Sequence, residues 1–146
     1  MAIIQSGYTD ASRTNASNRS VRLYKDIALS FEKNSATKDV IVKKDVDAVK
    51  QSVRNLIMTN HYERPFHPEI GSGLRGMLFE PMTPLTAVGL QRKVEEVLVN
   101  FEPRINLSQV LAIPNIDNNA YDLKIKFYVI GNSQPIEVET FLERLR

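Results

Sequence analysis

The sequence predicts an α+β fold in which a C-terminal antiparallel sheet, a three-strand meander, packs against two amphipathic helices. Two segments with apolar residues three and four positions apart indicate the helices, and three later segments with alternating apolar and polar residues indicate the strands. Short polar turns join the alternating segments, a pattern typical of a meander with one solvent-facing side. A length of 146 residues, with 42% hydrophobic and 25% charged residues, fits one globular domain.

The first helix is predicted to begin at Asp45. Its apolar residues recur at intervals of three and four and form one stripe, while Lys50 and Arg54 lie on the opposite face. This helix is therefore expected to cover a core with one side only. The stripe consists of Val46, Val49, Val53, Leu56 and Ile57.

The second helix is predicted to run from Thr83 to about Asn100. Thr83 is a favourable N-cap, and Pro84 suits the first helical position because its fixed φ matches the helix. Residues 59–82, between the helices, contain three prolines and three glycines, so we expect irregular structure with at most one helical turn from 74 to 79. The residues predicted to face inward are Leu85, Val88, Val94, Val97, Leu98 and Phe101.

Three strands are predicted after Pro103, because the period of the apolar residues changes to two. A turn at residues 131–134 separates the second strand from the third, which comes last and is therefore expected at a sheet edge. The inward-facing residues are predicted to be Ile105, Leu107, Gln109, Leu111 and Ile113 in the first strand, Tyr121, Leu123, Ile125, Phe127 and Val129 in the second, and Ile136, Val138, Thr140 and Leu142 in the third.

One or two short strands are predicted upstream of the first helix. A loose alternation is followed by a polar interruption from residue 32 to residue 38 and then by a short apolar step at residues 40–42. The alternating apolar residues are Val21, Leu23, Ile27, Leu29 and Phe31.

Residues 1–20 are predicted to form a flexible N-terminal arm, and residues 21–146 a single domain. Residues 9–20 contain no aromatic or large aliphatic side chain, so they cannot bury enough apolar area to offset the entropy of ordering. Two interpretations stay open: an arm that orders on a partner, which Ile3 and Ile4 favour slightly, or a plain disordered terminus.

The composition excludes several classes of function. There is no cysteine, which removes disulfides, thiolate metal sites and cysteine nucleophiles and fits folding in a reducing cytoplasm. Nineteen basic against 17 acidic residues give a net charge of +2, too mild to indicate a nucleic-acid partner. No apolar run approaches the ~18 residues of a membrane span, and the N-terminus lacks the pattern of a signal peptide. We therefore expect neither nucleic acid nor membrane as a partner.

Two motif-like patterns are rejected as binding sites. Residues 71–76 match G-x-G-x-x-G, but the segment before them does not resemble a strand, which a dinucleotide site requires. A group of four potential ligands has prolines within it and no spacing typical of a metal site, so we expect no metal. These four residues are His61, Glu63, His67 and Glu69.

No catalytic group can be assembled from the sequence, and no cofactor or small-molecule substrate is expected. The chain has no serine in a nucleophile-elbow context and only two histidines, so no third histidine is available for a triad. A glycosidase needs two carboxylates across a cleft, and nothing in the sequence pairs Glu63, Glu80 and Glu102. We therefore predict that the protein is not an enzyme.

Glu102, Pro103 and Arg104 stand where the second helix turns into the meander. Proline restricts the backbone, and an arginine fork can bind a carboxylate or several carbonyls in bidentate geometry. From the residues alone, a structural tie and an incidental charged helix end are equally supported. If the tie exists, Arg104 is at least partly buried.

The segments at residues 63–71, 78–80, 82–86 and 100–105, taken together in order and in spacing, resemble the small baseplate-wedge family of contractile-tailed phages, and the resemblance covers roughly residues 45–145. The family's R-P-F-x-P-E-x-G loop falls on Arg64, Pro65, Phe66, Pro68, Glu69 and Gly71, and its Glu-Pro-Arg signature on Glu102, Pro103 and Arg104. The segments 78–80 and 82–86 also match. The N-terminal arm matches no motif of the family.

The resemblance implies a structural subunit of a tail baseplate wedge, located in the virion and assembled in the host cytoplasm. Members of the family act as initiators of the tail sheath, so the implied partners are the sheath protein and other wedge proteins. Pairing with an extended sheath segment is then expected on the last strand, at Ile136, Val138, Thr140 and Leu142. The alternatives are the equivalent subunit of a type VI secretion or contractile injection system, a regulatory binding protein of the same fold, and, last, a peptidoglycan hydrolase.

Overall fold

The computed structural model describes residues 24–143. Within this range the chain forms a short antiparallel hairpin, then three helices, then a three-stranded antiparallel sheet, which confirms the predicted α+β class. The elements are β1 (Lys25–Ile27), β2 (Val42–Lys44), α1 (Val46–Met58), α2 (Leu74–Met77), α3 (Pro84–Phe101), β3 (Ile105–Asn115), β4 (Ala120–Val129) and β5 (Pro135–Glu143).

The sheet has the strand order β3-β4-β5, so β4 is central. Since side chains alternate between the two faces of a strand, one face of β4 supplies a continuous part of the core. The other face carries Lys124 and Lys126, which form ion pairs with Glu139 and Glu137 of β5. The predicted inward set of β4 is confirmed: Tyr121, Leu123, Ile125, Phe127 and Val129 are all buried.

The helices form a second layer on the inner face of the sheet. The side chain of Thr83 caps α3 by accepting a hydrogen bond from the backbone N–H of Thr86 at 3.2 Å, as expected for a threonine N-cap followed by proline. A three-residue turn leads from α3 into β3, and α3 packs directly on that strand. Helix α1 packs on α3 and on the β1–β2 hairpin.

The predicted face of β3 is wrong beyond its first residues. A β-bulge between Leu107 and Gln109 adds one residue to the strand, so every later side chain changes face. As a result Leu111 and Ile113, which were expected in the core, lie on the outer face and are exposed, and Gln109 is exposed as well. The buried positions are instead Val110 and Ala112.

The predicted inner face of α3 is wrong in its first turns. Leu85 is 81% exposed and Val88 is also exposed, because the first buried apolar residue of the helix is the small Ala87. A leucine at the second helical position favours a core assignment by residue type, but the buried apolar stripe begins two residues later. That stripe continues through Leu90, Val94, Val97 and Leu98.

The segment before α1 contains the two short strands that the sequence predicts, paired as an antiparallel hairpin. The amide of Gln51 on α1 donates to the carbonyl of Ile27 at 2.8 Å and ties the hairpin to the helix. The side chains of Ile27, Leu29 and Phe31 are exposed, so the loose alternation there does not mark a core strand. The predicted arm at residues 1–20, together with Val21 and Leu23, lies outside the described residues.

Candidate functional site

Glu102 is a buried carboxylate at the point where α3 ends. Its side chain is 1% exposed and binds the guanidinium of Arg104 in bidentate geometry, with Nε to Oε1 at 2.5 Å and Nη2 to Oε2 at 2.6 Å. The hydroxyl of Ser52 on α1 donates to Oε2 at 2.5 Å. One carboxylate therefore joins α1, the end of α3 and the turn into β3.

Arg104 lies over the carboxylate and is partly buried, with 30% of its side chain exposed, which matches the predicted tie. Its guanidinium carbon is 5.6 Å from the centroid of the Tyr24 ring, within the range of a cation–π contact. The carbonyl of Arg104 accepts a hydrogen bond from the N–H of Ile130 at 2.9 Å, which connects the turn to the end of β4. This Glu-Pro-Arg corner, residues 102–104, is a structural junction.

The charges of the corner stabilise each other. Burial by itself raises the pKa of Glu102, but the hydrogen bonds from Arg104 and Ser52 outweigh it and hold the pKa below its ordinary value. The pKa of Arg104 is raised, chiefly by its hydrogen bond to Glu102. Both groups are therefore charged at neutral pH, and the corner has no group poised to exchange a proton.

The predicted R-P-F-x-P-E-x-G residues lie in a long loop between α1 and α2, which we call the proline loop (residues 59–73). Gly71 is buried, and a Cβ there would lie 2.6 Å from the carbonyl carbon of Asn60, so only glycine permits this approach of the two loop ends. Next to it, the buried hydroxyl of Ser72 donates to the carbonyl of Ile57 at 2.6 Å. The base of the loop is thus anchored to the end of α1.

The tip of the proline loop exposes two aromatic rings. Tyr62 is 85% exposed and Phe66 is 95% exposed, and both have φ of 68°, a left-handed conformation that bulky residues rarely adopt. The N–H of Tyr62 donates to the carbonyl of Pro68 at 2.9 Å and closes the tip. A strained backbone held by hydrogen bonds, with exposed aromatic rings, is typical of a binding element rather than of a loose connection.

Most other side chains of the loop are exposed, whereas Thr59, Asn60 and Ile70 are half-buried, and both acids of the loop make a contact within it. Glu63 accepts from the backbone N–H of Asn60 at 2.9 Å, and Glu69 lies 3.1 Å from the Nδ1 atom of His67. Pro65 is exposed, and Arg64 is exposed and forms no ion pair within residues 24–143. In that range no group of three potential metal-ligating residues converges. Gly71 and Gly73 end the proline loop and Gly76 lies in α2, so no strand leads directly into these glycines.

Strand β5 carries the predicted pairing residues and lies at one edge of the sheet as described. Ile136, Val138 and Leu142 are buried and complete the inner face. Thr140 is half-buried, and its hydroxyl is buried without a hydrogen-bond partner among the described residues. The outer face of β5 carries Glu137, Glu139 and Glu143 together with the exposed ring of Phe141.

A feature that the sequence did not reveal is an apolar groove beside the C-terminal half of β5. Its cavity volume is about 270 Å³. It lies between the end of α1, the short helix α2 and the last residues of β5, elements far apart in the chain, so no local pattern predicts it. The lining residues are Ile57, Met58, Leu74, Arg75, Leu78, Phe79, Phe141, Leu142 and Glu143.

We predict that Arg104→Ala strongly destabilises the protein. The substitution leaves the buried carboxylate of Glu102 without its counter-charge, which costs on the order of 3–5 kcal/mol of the free energy of unfolding. Denaturant unfolding followed by circular dichroism measures the loss. Lys93→Ala is the control, since it removes a cation from an exposed pair with Glu96 and is expected to cost less than about 1 kcal/mol. Equal unfolding midpoints for the two variants would contradict the junction.

We also predict that the free energy of unfolding falls in acid because of Glu102. The folded pKa of Glu102 lies below its unfolded value, so the unfolded chain takes up the proton first as the pH decreases. The stability that Glu102 contributes is therefore present above the ordinary pKa of a glutamate and is lost as the pH falls through the lower folded pKa. Glu102→Gln should lower stability at pH 7 and flatten its fall below about pH 5. Glu139→Gln removes an exposed carboxylate whose pKa is lowered by its hydrogen bond from Lys124, so it should flatten the acid profile in the same direction but by a smaller amount.

The comparisons with known proteins agree with this architecture. Residues 43–134 match the family model of baseplate wedge protein gp25. Over 116 residues the chain is 40% identical to baseplate wedge protein gp25 of Enterobacteria phage T4, a match that covers 80% of this chain and 87% of that protein.

Three solved structures are similar. A chain of the postcontracted pyocin R2 baseplate is 28% identical with a TM-score of 0.55, covering 67% of this chain and 96% of its own. A chain of the anti-feeding prophage baseplate is 24% identical with a TM-score of 0.60, covering 84% and 87%. A putative tail lysozyme from Geobacter sulfurreducens is 23% identical with a TM-score of 0.62, covering 67% and 89%. The last two show the fold alone. The family match and the extended identity confirm the resemblance: this chain belongs to the baseplate wedge protein gp25 family.

Proposed function

We propose that this chain is the wedge subunit on which the tail sheath begins to polymerise, and that an extended segment of the sheath protein pairs with β5. The observation that carries the proposal is the free edge of β5 within residues 24–143: its backbone pairs with β4 on one side only. An added strand gains main-chain hydrogen bonds there, and its side chains set the register.

The two edges of the sheet differ in a way that favours β5. The edge strand β3 contains the bulge after Leu107 and Pro114 near its end, and both features interrupt a ladder of backbone hydrogen bonds. Strand β5 pairs with β4 without interruption from Pro135 to Glu143 and has no proline after its first residue. Proteins normally protect such a regular edge, so an open one is best explained by a partner strand.

The charges on β5 leave its outer backbone free. Lys124 binds Glu139 with Nζ to Oε1 at 2.6 Å, and Lys126 lies 3.7 Å from Glu137. These pairs cross from β4 to β5 on the outer face, so the glutamates are directed toward the neighbouring strand. They hold β5 against β4 without covering its open side.

Docking on the other wedge proteins needs a second surface, and the tip of the proline loop is the candidate for it. Tyr62 and Phe66 expose large aromatic rings at a loop tip that a backbone hydrogen bond closes, so they offer apolar area for burial against a neighbour. Aromatic side chains and arginine dominate the energetic centres of protein interfaces, and Arg64 stands between the two rings in the loop. In this proposal the sheath protein binds at the edge of β5, and the other wedge proteins bind at the tip of the proline loop.

As the particle we propose a phage tail rather than a secretion or injection machine, and the support is the relative at 40% identity, which comes from a phage. Within residues 24–143 no helix is long and apolar enough to cross a membrane.

A hydrolase function has no support from the carboxylates. A general acid at neutral pH needs a raised pKa, whereas the pKa of Glu102 is lowered by Arg104 and Ser52 despite burial. The pKa of Glu63 is lowered as well, first by its hydrogen bond from the backbone of Asn60. The similarity to a putative tail lysozyme, at 23% identity, concerns the fold.

We predict that the purified protein does not degrade peptidoglycan. The turbidity of a suspension of purified cell walls should stay constant with this chain and fall with a lysozyme added as the positive control. A fall in turbidity that Glu63→Gln or Glu102→Gln abolishes would show an enzyme and overturn the structural assignment.

The pairing is tested by single prolines in β5. Adjacent residues of an edge strand direct their N–H groups alternately toward the neighbouring strand and toward the open side. Of Glu139→Pro and Thr140→Pro, one therefore removes a donor from the β4–β5 ladder and is expected to unfold more easily. The other removes a donor from the open edge and should melt close to the unaltered protein. Thermal unfolding distinguishes them.

The variant with the unaltered melting temperature is then assembled into particles. We expect it to join baseplates and to yield tail tubes without sheath, as seen by electron microscopy. Phe66→Ala is the complementary variant, expected to fold but to be missing from baseplates. Normal sheath on tails that carry the folded proline variant would exclude β5 as the template.

A further inference from the structure

The apolar groove opens beside the free edge of β5. Met58 and Phe79 form part of its wall and are exposed, and Leu142 of β5 lies at its inner side. Its volume of about 270 Å³ is below the range of about 300–1,000 Å³ typical of sites for small molecules. The groove is therefore of a size for one or two side chains of a protein partner.

The alternation of β5 relates the groove to a strand added at the edge. Leu142 points toward the helices, whereas Phe141 and Glu143, which also line the groove, alternate toward the outer face, so the groove follows the edge of the strand. In a strand paired with β5, the side chain beside Leu142 points in the same direction as Leu142 and therefore toward the helices. That is the side on which the end of α1 and α2 form the groove.

The lining defines the chemistry of that side chain. Ile57, Leu74 and Leu78 form a buried apolar floor, and a polar or charged group placed there would lose its hydration without a partner. Charged side chains at the groove are confined to Arg75 and Glu143, among the described residues that line it. A large aliphatic or aromatic side chain fits the floor, and polar residues fit on either side of it.

We propose that the groove receives one large apolar anchor residue of the extended sheath segment that pairs with β5. The inference rests on the proposed function, and it adds a requirement on the partner: the pairing segment carries Leu, Ile, Met or Phe at the position beside Leu142. Backbone pairing supplies affinity for any extended segment, whereas the anchor selects one register of one segment. A shift by one residue would turn the anchor away from the groove.

The test compares lysine substitutions inside and outside the groove. Met58→Lys and Phe79→Lys place a charge at its exposed wall, and Val99→Lys places the same charge on α3, at a residue that is 67% exposed and does not line the groove. The probe is the sheath protein of the same particle, and binding is measured by biolayer interferometry. We expect the two groove variants to bind the sheath protein at least about tenfold more weakly than the unaltered chain. Val99→Lys should bind with unchanged affinity, and all three variants should have similar melting temperatures.

An alanine scan of the sheath segment identifies the anchor. Its replacement by alanine should weaken binding to the unaltered chain and have little further effect on Met58→Lys, because coupled residues are not additive. If the groove variants bind sheath normally while the folded proline variant of β5 does not, the groove inference fails and the strand pairing stands. If that proline variant binds normally too, the proposed function fails.

The same protein variants also test two other possible occupants of the groove. The first is the chain's own N-terminal segment. If removal of residues 1–23 makes sheath binding tighter, and this gain depends on Met58, then that segment occupies the groove and the proposal is overturned. Should light scattering show a dimer that Met58→Lys dissociates, the occupant is a second copy. If the protein is a monomer, and Met58→Lys weakens sheath binding to the same extent after residues 1–23 are removed, the result supports the sheath anchor.

Discussion

The buried pair of Glu102 and Arg104 is the interaction on which the arrangement of the other elements depends. The carboxylate of Glu102 is almost completely removed from solvent, yet it stays ionised because the guanidinium and the hydroxyl of Ser52 satisfy both of its oxygens. The backbone of Arg104 in turn accepts from the end of β4. A three-residue turn therefore fixes the angle at which α3 returns into the sheet and the position of α1 against it. A hydrophobic contact at this place would supply similar burial without the directional constraint.

The structural consequence is a rigid body in which, among residues 24–143, one regular strand edge has no partner strand. Because α3 lies on β3 and the cross-strand ion pairs hold β5 to β4, the edge of β5 is presented on a fixed support. The proline loop is anchored just as firmly, by the close approach at Gly71 and the buried hydroxyl of Ser72, while its aromatic tip is directed to solvent. Assembly proteins profit from such preorganisation, because the entropy of ordering is lost on folding rather than on binding. The carboxylates of Glu102 and Glu63 contribute to this rigidity through their hydrogen bonds.

Much of the fold was predictable because the local signals agree with the tertiary structure. The alternation in β4 is uninterrupted, so its five inward residues follow from the period of two alone. The Thr83–Pro84 pair marks the start of α3 because capping is a local interaction. The corner at Glu102 and Arg104 was half predictable: residue type and position indicate a tie, but Ser52 and Tyr24 reach it from elements that are distant in the chain.

The class of the fold, the order of its elements and the family could be predicted from the sequence, since they rest on periodicity, capping and ordered motifs along the chain. The tertiary structure alone decided the face of β3 after its bulge, the exposure of Leu85, and the groove beside β5. A bulge cannot be recognised from the period of the apolar residues, because it changes the number of residues in the strand rather than their type. The groove has no local signal at all, since its walls come from α1, α2 and β5 and exist only when these elements are packed together.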